Sequence, residues 1–262
     1  MPIYTIDKDY KKTLSEDREA FLIADRLGFS EAYCGEHVTD SPENITSSAL
    51  FIASLAAETK NIRLGTGTVN MPNSYPAAIA GQVAILDHML DGRFNFGISP
   101  GGLDSDAEVF GNLDKNRNEM FVESIDMVLE IWKRDPPYNI KGKYWNISTE
   151  QTQMTEIGQC IMQKPMKNPY PRIICKVVAP FSKGLIAATA SGWHPISTNF
   201  LMPKWIKIHW PKYIKMLFLV NKKIKKTFRW AKLHIKNQKY MNRLLSLNNW
   251  DNPSMASPFI II

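Results

Sequence analysis

A chain of 262 residues, 44% hydrophobic and 22% charged, is long enough for one α/β barrel or two small domains, and its composition excludes a disordered polymer. The N-terminus, MPIYTIDKDYKK, lacks the apolar core of a signal peptide and no uncharged apolar run reaches membrane-span length, so a cytoplasmic location without a membrane partner is expected. The net charge of +7 hides a division: residues 1–203 hold 19 Lys and Arg against 24 Asp and Glu, whereas residues 204–262 hold 13 against 1.

Asp17–Leu27 sets Ala20, Phe21, Ile23, Ala24 and Leu27 at helical spacing ahead of Gly28, which predicts a first amphipathic helix. Phe29–Gly35 then predicts a buried strand that ends on an acid and an imidazole, Glu36 and His37. Ser47–Thr59 opens on a capping serine and predicts a helix that hands over to a strand at Ile62–Val69. Pro76–Leu90 predicts the next helix, with Asp91-Gly92 turning into a strand at Arg93–Ser99. Asn116–Arg134 is the clearest amphipathic helix, because Met120, Ile125, Val128, Leu129 and Trp132 keep a period of three to four.

After Pro136-Pro137 the alternation around Lys141-Gly142-Lys143 predicts a short hairpin outside the main sheet. The β-branched run Pro171–Ala179 predicts a strand buried on both faces, Phe181–Ser191 a helix and Gly192–Thr198 a further strand. This order gives five strands and five helices before Pro203, with a sixth helix from near Lys204. It predicts consecutive βα units of a parallel sheet, a fold that gathers its polar groups at the strand C-terminal ends. Cys34, Cys160 and Cys175 are odd in number and lack CxxC spacing, which argues against a disulfide framework or a zinc site and makes them packing residues.

No Asp or Glu occurs from Ile157 to Trp250, and beyond about Met216 the text is dominated by Lys, Asn, Ile and Leu. Two readings stay open: a basic helical extension, or a segment foreign to the preceding fold, as a change of reading frame in AT-rich coding sequence would produce. The expected division is therefore a barrel over residues 1–216 and a basic tail over 217–262. Interleaved Phe228, Trp230 and Tyr240 raise a rival reading as a nucleic-acid or anionic-lipid binder, but no nucleic-acid fold signature accompanies them and neither partner is expected. Neither GxGxxG nor Walker A spacing appears, so a separate nucleotide domain is not indicated.

With those strand ends in view, the chain resembles the bacterial luciferase-like flavin-dependent monooxygenase family, closest to its limonene-monooxygenase-like branch. The resemblance rests on ADRLGFSEAYCGEH (Ala24–His37), ETKNIRLGTGTVNMPNSYP (Glu58–Pro76), LDHMLDGRFNFGISPGG (Leu86–Gly102) and VFGNLDKNRNEMFVESIDMV (Val109–Val128). It implies an eight-stranded (β/α) TIM barrel, incomplete here, with the first strand short or missing and the last two βα units absent or replaced. It also implies a two-component reaction in which reduced FMN, supplied by a separate NAD(P)H flavin reductase, reacts with O2 to a flavin hydroperoxide that oxygenates a small apolar substrate. A homodimer is a further implication.

By the same resemblance His37 is the catalytic group, since relatives carry a histidine at this strand end and imidazole donates or accepts near neutral pH. Glu36 either orients His37, bonds neighbouring backbone or forms a plain salt bridge at the barrel rim. Asn70 and Ser99 are expected to face the flavin, although both also suit plain turns. Ser182 and Lys183, at a strand-to-helix junction, are expected phosphate ligands, with helix capping as the alternative for the serine. Some relatives place a non-proline cis peptide near the positions of Asn73-Ser74. His88 is expected to hold a helix-to-strand turn. Two alternatives keep the fold: a deazaflavin-dependent oxidoreductase, and a catalytically inactive fragment.

Overall fold

The computed structural model describes residues 4–178, 183–198, 202, 204–205, 208–209, 211–213, 215 and 259–261. They fall into two compact units, Met1–Lys176 with Phe259–Ile262, and Val177–Pro258. In the first, α1 (Tyr10–Arg26) leads to β1 (Glu31–Cys34), and α2 (Ser48–Leu55) leads to β2 (Arg63–Thr66) and the short β3 (Val69–Asn70). Next come α3 (Pro76–Met89), β4 (Phe94–Ser99), α4 (Asp104–Val109), α5 (Arg117–Lys133), the hairpin strands β5 (Asn139–Lys141) and β6 (Asn146–Ser148), and β7 (Arg172–Val177). The second unit begins at Val177, the last residue of β7, and holds α6 (Lys183–Ala190) and β8 (His194–Ser197); β9 (Phe259–Ile261) returns to the first.

Every pairing in the main sheet of the first unit is parallel: β1 on β2, β2 on β4, β4 on β7, β3 on the end of β4, and β9 on the far side of β1. β4 is buried at all positions and so serves two faces by simple alternation. Phe94, Phe96 and Ile98 meet the helical layer, where Phe96 stacks edge-on against Trp132 of α5 at 6.0 Å and the Trp132 indole donates to Ala80 O of α3 at 3.2 Å. Asn95, Gly97 and Ser99 face the other way.

That second face is polar. Arg172 of β7 grips Glu31 of β1 with both guanidinium ends, at 2.7 and 2.8 Å. The Tyr33 hydroxyl donates to Glu31 and accepts from Asn95 Nδ2 at 3.0 Å, and Arg63 Nε donates to Asn95 Oδ1 at 3.1 Å. β1 and β7 have β2 and β4 between them, so a flat sheet would hold them three strand spacings apart, roughly 14 Å. Direct contact requires the sheet to curl with this face inside, as in a barrel wall. Among the described residues the result is an open, curled parallel α/β sheet of the incomplete-barrel type.

Glycine lets the strands close at the seam of β2 and β4. A Cβ on Gly97 would lie 1.8 Å from Thr66 O, and the Thr66 hydroxyl instead exchanges bonds with Gly97 N and Gly97 O, both at 2.8 Å.

Several expectations need correction. α1 starts at Tyr10, not Asp17, because Asp9 caps it by accepting from Lys12 N at 2.8 Å, and because Thr13 and Asp17 are buried polar residues that an apolar count passes over. The Tyr4 hydroxyl donates to Asp17 at 2.7 Å. Ile62–Val69 is two strands, interrupted at the cis peptide Gly67-Thr68; no cis bond lies at Asn73-Ser74. α4 is an added helix of six residues without apolar periodicity. β7 is not buried throughout, because Lys176 is exposed. β9 falls within the expected tail of residues 217–262, of which 217–258 and 262 lie outside the described ones.

The hairpin is a separate antiparallel sheet as expected, docked on α5 by Glu123, whose carboxylate accepts N–H bonds from Lys143, Tyr144 and Trp145 at 2.8 to 3.0 Å. The His88 imidazole bonds Lys164 O at 3.1 Å, in the segment before β7, whereas the turn from α3 to β4 is closed by backbone bonds such as Gly92 N to Asp87 O. In the second unit Val177, Leu185 and Tyr213 form a small core, and Thr198 N donates to Val177 O. Among the described residues no helix is long and apolar enough to cross a membrane, and no cluster of metal-ligating side chains occurs.

Two measurements check these anchors. Arg172→Met leaves Glu31 as a buried charge without its partner, and urea denaturation should show a loss of about 3–5 kcal/mol, well beyond that of an exposed Arg→Met control. Asp25 accepts from Lys60 N, Asn61 N and Ile62 N, and these bonds outweigh burial, holding its carboxyl below the usual range. A depressed carboxylate stabilises the fold above its unfolded pKa and loses that contribution as pH falls through the folded value. Asp25→Asn should therefore be destabilising by about 1–3 kcal/mol near neutrality, with the gap to wild type narrowing as pH drops below about 4.

Candidate active site at the strand ends

Beyond β1 the chain runs through Gly35 into Glu36, whose carboxylate fastens three elements together. Its Oε2 accepts from Ser48 N at 3.1 Å and Ser48 Oγ at 2.6 Å at the start of α2, and its Oε1 accepts from Asn70 N at 3.1 Å at the end of β3. Burial pushes the Glu36 carboxyl above the usual range, opposed by these bonds and by neighbouring His37. Asn70 donates through Nδ2 to Glu36 O at 3.3 Å and accepts at Oδ1 from Ser99 Oγ at 3.0 Å. The Ser99 oxygen in turn accepts from Thr68 Oγ1 at 2.7 Å and from Gly101 N at 3.2 Å. A positive φ of 78° at Gly101 lets the backbone double back over this serine.

His37 sits on the same rim. Its Nδ1 lies 2.8 Å from Asp106 Oδ2, and its Nε2 lies 3.6 Å from Glu43 Oε2. Asp106, on α4 after β4, is only 2% exposed. Its other oxygen accepts from Val38 N at 3.0 Å, Thr39 N at 2.9 Å and Thr39 Oγ1 at 2.7 Å. Burial by itself would raise the Asp106 carboxyl; the bonds from His37 and Thr39 outweigh it and hold the group below the ordinary value.

A cation completes the rim. Cys175 of β7 pairs with Ile98 of β4, so Lys176 stands level with Ser99, on the face that carries Arg172 four residues earlier. Desolvation lowers its ammonium pKa, against the pull of Glu43, although the residue is exposed. Beside the rim a hollow of about 250 Å³ opens between Asn73, Ser74, Asn112, Lys115 and Trp145. A larger groove of about 820 Å³ runs along the outer face of α5 and the hairpin, away from the strand ends.

The expected residues His37, Asn70 and Ser99 are thus brought to one end of the sheet, linked through Glu36 and the backbone between it and His37. Of the three roles open to Glu36, its bonds to Ser48 N, Ser48 Oγ and Asn70 N are those of a tie to neighbouring segments; the partner of the imidazole is Asp106. Ser182 and the side chain of Lys183 lie outside the described residues, and Lys183 opens α6 in the second unit. Sequence reasoning missed Asp106 and Lys176. Asp106 is one of three acids in DSDAEV with no pattern to single it out, whereas Lys176 left a signal: a charge in PRIICKVVA, at even spacing from Arg172.

Residues 5–202 match the family described as luciferase-like monooxygenase, and the chain belongs to that family. Limonene 1,2-monooxygenase of Rhodococcus erythropolis is 34% identical over 127 residues, 48% of this chain and 33% of that protein. The oxygenating constituent of 3,6-diketocamphane monooxygenase from Pseudomonas putida, solved in complex with FMN, superposes with a TM-score of 0.76 at 26% identity, covering 84% of this chain and 61% of that one. An F420-dependent secondary alcohol dehydrogenase shares the fold, with a TM-score of 0.64 at 20% identity over 79% of this chain and 61% of its own. The chain spans half or less of the length of the curated relatives named by sequence.

Proposed function

We propose that this chain is the oxygenating component of a two-component flavin system in the cytoplasm, which takes reduced FMN from a separate reductase and oxygenates a small apolar organic substrate. The observation that carries the reading is the rim itself: His37, Asn70 and Ser99, far apart in sequence, meet at the strand C-terminal ends within the region that matches the family. Barrel and open α/β folds place their chemistry at that end.

The donor set fits a flavin. Asn70 retains one amide N–H beyond those already used, suited to a carbonyl or ring nitrogen of an isoalloxazine edge. Lys176 supplies positive charge for an anionic ligand on the same face of the sheet. Ser182 and Lys183 are proposed to bind the phosphate at the start of α6. Reduced FMN, when bound, supplies the activation of O2. The work left to the protein is to orient the ring, keep water out and hold a proton at His37 Nε2 for the developing oxygen anion. Pairing of two copies is part of the same proposal.

Fluorescence quenching of FMN tests this directly. The wild-type chain should bind FMN, Asn70→Ala and Lys176→Met should each weaken binding by roughly 5- to 50-fold, about 1–2.3 kcal/mol, and His37→Ala should leave binding within about 3-fold while abolishing coupled oxygenation. Tight binding of a deazaflavin without binding of FMN would overturn the assignment.

A further inference from the structure

Asp106 has no role in the reading above. Building on the proposal that His37 meets the ligand, we propose that Asp106 is a positioning residue that fixes which ring nitrogen of His37 exchanges protons. At 2.8 Å from Nδ1, the Asp106 carboxylate is an acceptor with no hydrogen to offer, so Nδ1 must carry one. Nδ1 stays protonated whether the ring is neutral or charged, and Nε2 becomes the atom that gains or loses a proton. This inverts the preference of free neutral histidine, whose proton favours Nε2.

The surroundings keep that assignment in place. Asp106 cannot turn away, because its other oxygen already takes bonds from Val38 N, Thr39 N and Thr39 Oγ1, and the Thr39 hydroxyl is also within 2.7 Å of Ser105 Oγ. His37 N donates to Ile45 O at 3.0 Å, which fixes the backbone from which the ring projects. On the far side of the ring Glu43 lies 3.6 Å from Nε2, beyond a hydrogen bond yet near enough to attract the proton once it arrives. Glu36 is the adjacent residue but spends its carboxylate on Ser48 and Asn70. Lys176 is the nearby positive group on β7, within electrostatic reach of Glu43. One carboxylate therefore orients the imidazole from behind, while a second, more exposed one receives charge on the side that faces out. This is the general logic of a histidine whose reactive nitrogen is set by the bond its other nitrogen makes.

The tautomer can be read without cofactor. Nitrogen-15 NMR of the full-length chain with labelled histidine, recorded on the neutral ring, should show His37 protonated at Nδ1, with the signal assigned by its loss in His37→Gln. Asp106→Asn keeps an oxygen for Val38 N and Thr39 N but offers an N–H toward the ring, so it should move the proton to Nε2 while leaving the thermal midpoint and the Val38 and Thr39 amide signals in place. Asp106→Glu should restore the Nδ1 form. In coupled assays with reduced FMN, Asp106→Asn should cut oxygenation by roughly 10²-fold or more with FMN affinity little changed. A wild-type ring protonated at Nε2, which needs no variant to detect, or a tautomer indifferent to Asp106→Asn, would overturn the proposal. A switched tautomer with oxygenation intact would uphold the assignment and remove His37 from the chemistry, which separates the two ideas.

Discussion

The grip of Arg172 on Glu31 is the constraint from which the rest follows. These residues stand on the first and last of four consecutive parallel strands, and they touch only because the sheet between them is curled. Curling turns one face into an interior, and that interior is charged and hydrogen-bonded at this level, with Tyr33, Asn95 and Arg63 completing the belt. A buried ion pair is a poor source of net stability, since desolvation offsets most of its attraction. Its contribution is register: other strand alignments leave Glu31 buried without its partner.

Once the sheet is curled, the ends of β1, β3, β4 and β7 converge, and the loops that leave them are held by polar ties. Glu36 binds the start of α2 to the end of β3, and Asp106 binds α4 to the segment at Val38 and Thr39. Both carboxylates are occupied by the fold. The capacity left over belongs to the neighbours they hold, one ring nitrogen of His37 and one amide hydrogen of Asn70, with the ammonium of Lys176 on the adjoining strand. A rim of this kind is preorganised, because the groups with donor capacity to spare are backed by others already engaged in hydrogen bonds.

Much of the framework was legible along the chain. Strand and helix positions from β1 to β8 follow from apolar periodicity and from Gly and Pro punctuation, and the hairpin follows from its alternation around Gly142. The misses share a cause. Thr13 and Asp17 are buried polar residues, so the first two turns of α1 escape an apolar count; α4 is a short helix without apolar periodicity, tied through Asp106 to Val38 and Thr39; and Gly67, between β2 and β3, packs close against Tyr33 of β1. Each is settled by a partner remote in sequence.

The amino-acid sequence by itself determined the order of βα units, the strand ends that carry His37, Asn70 and Ser99, and the kinship with luciferase-like monooxygenases. These are local properties, written in spacing and in motifs of a few residues. Only the tertiary structure decided that Asp106, 69 positions from His37, is its partner, that Glu36 ties backbone, and that Lys176 joins the rim. Those facts depend on sheet curvature and register, which arise from contacts as distant as Glu31 and Arg172 and leave no periodic trace in the order of residues.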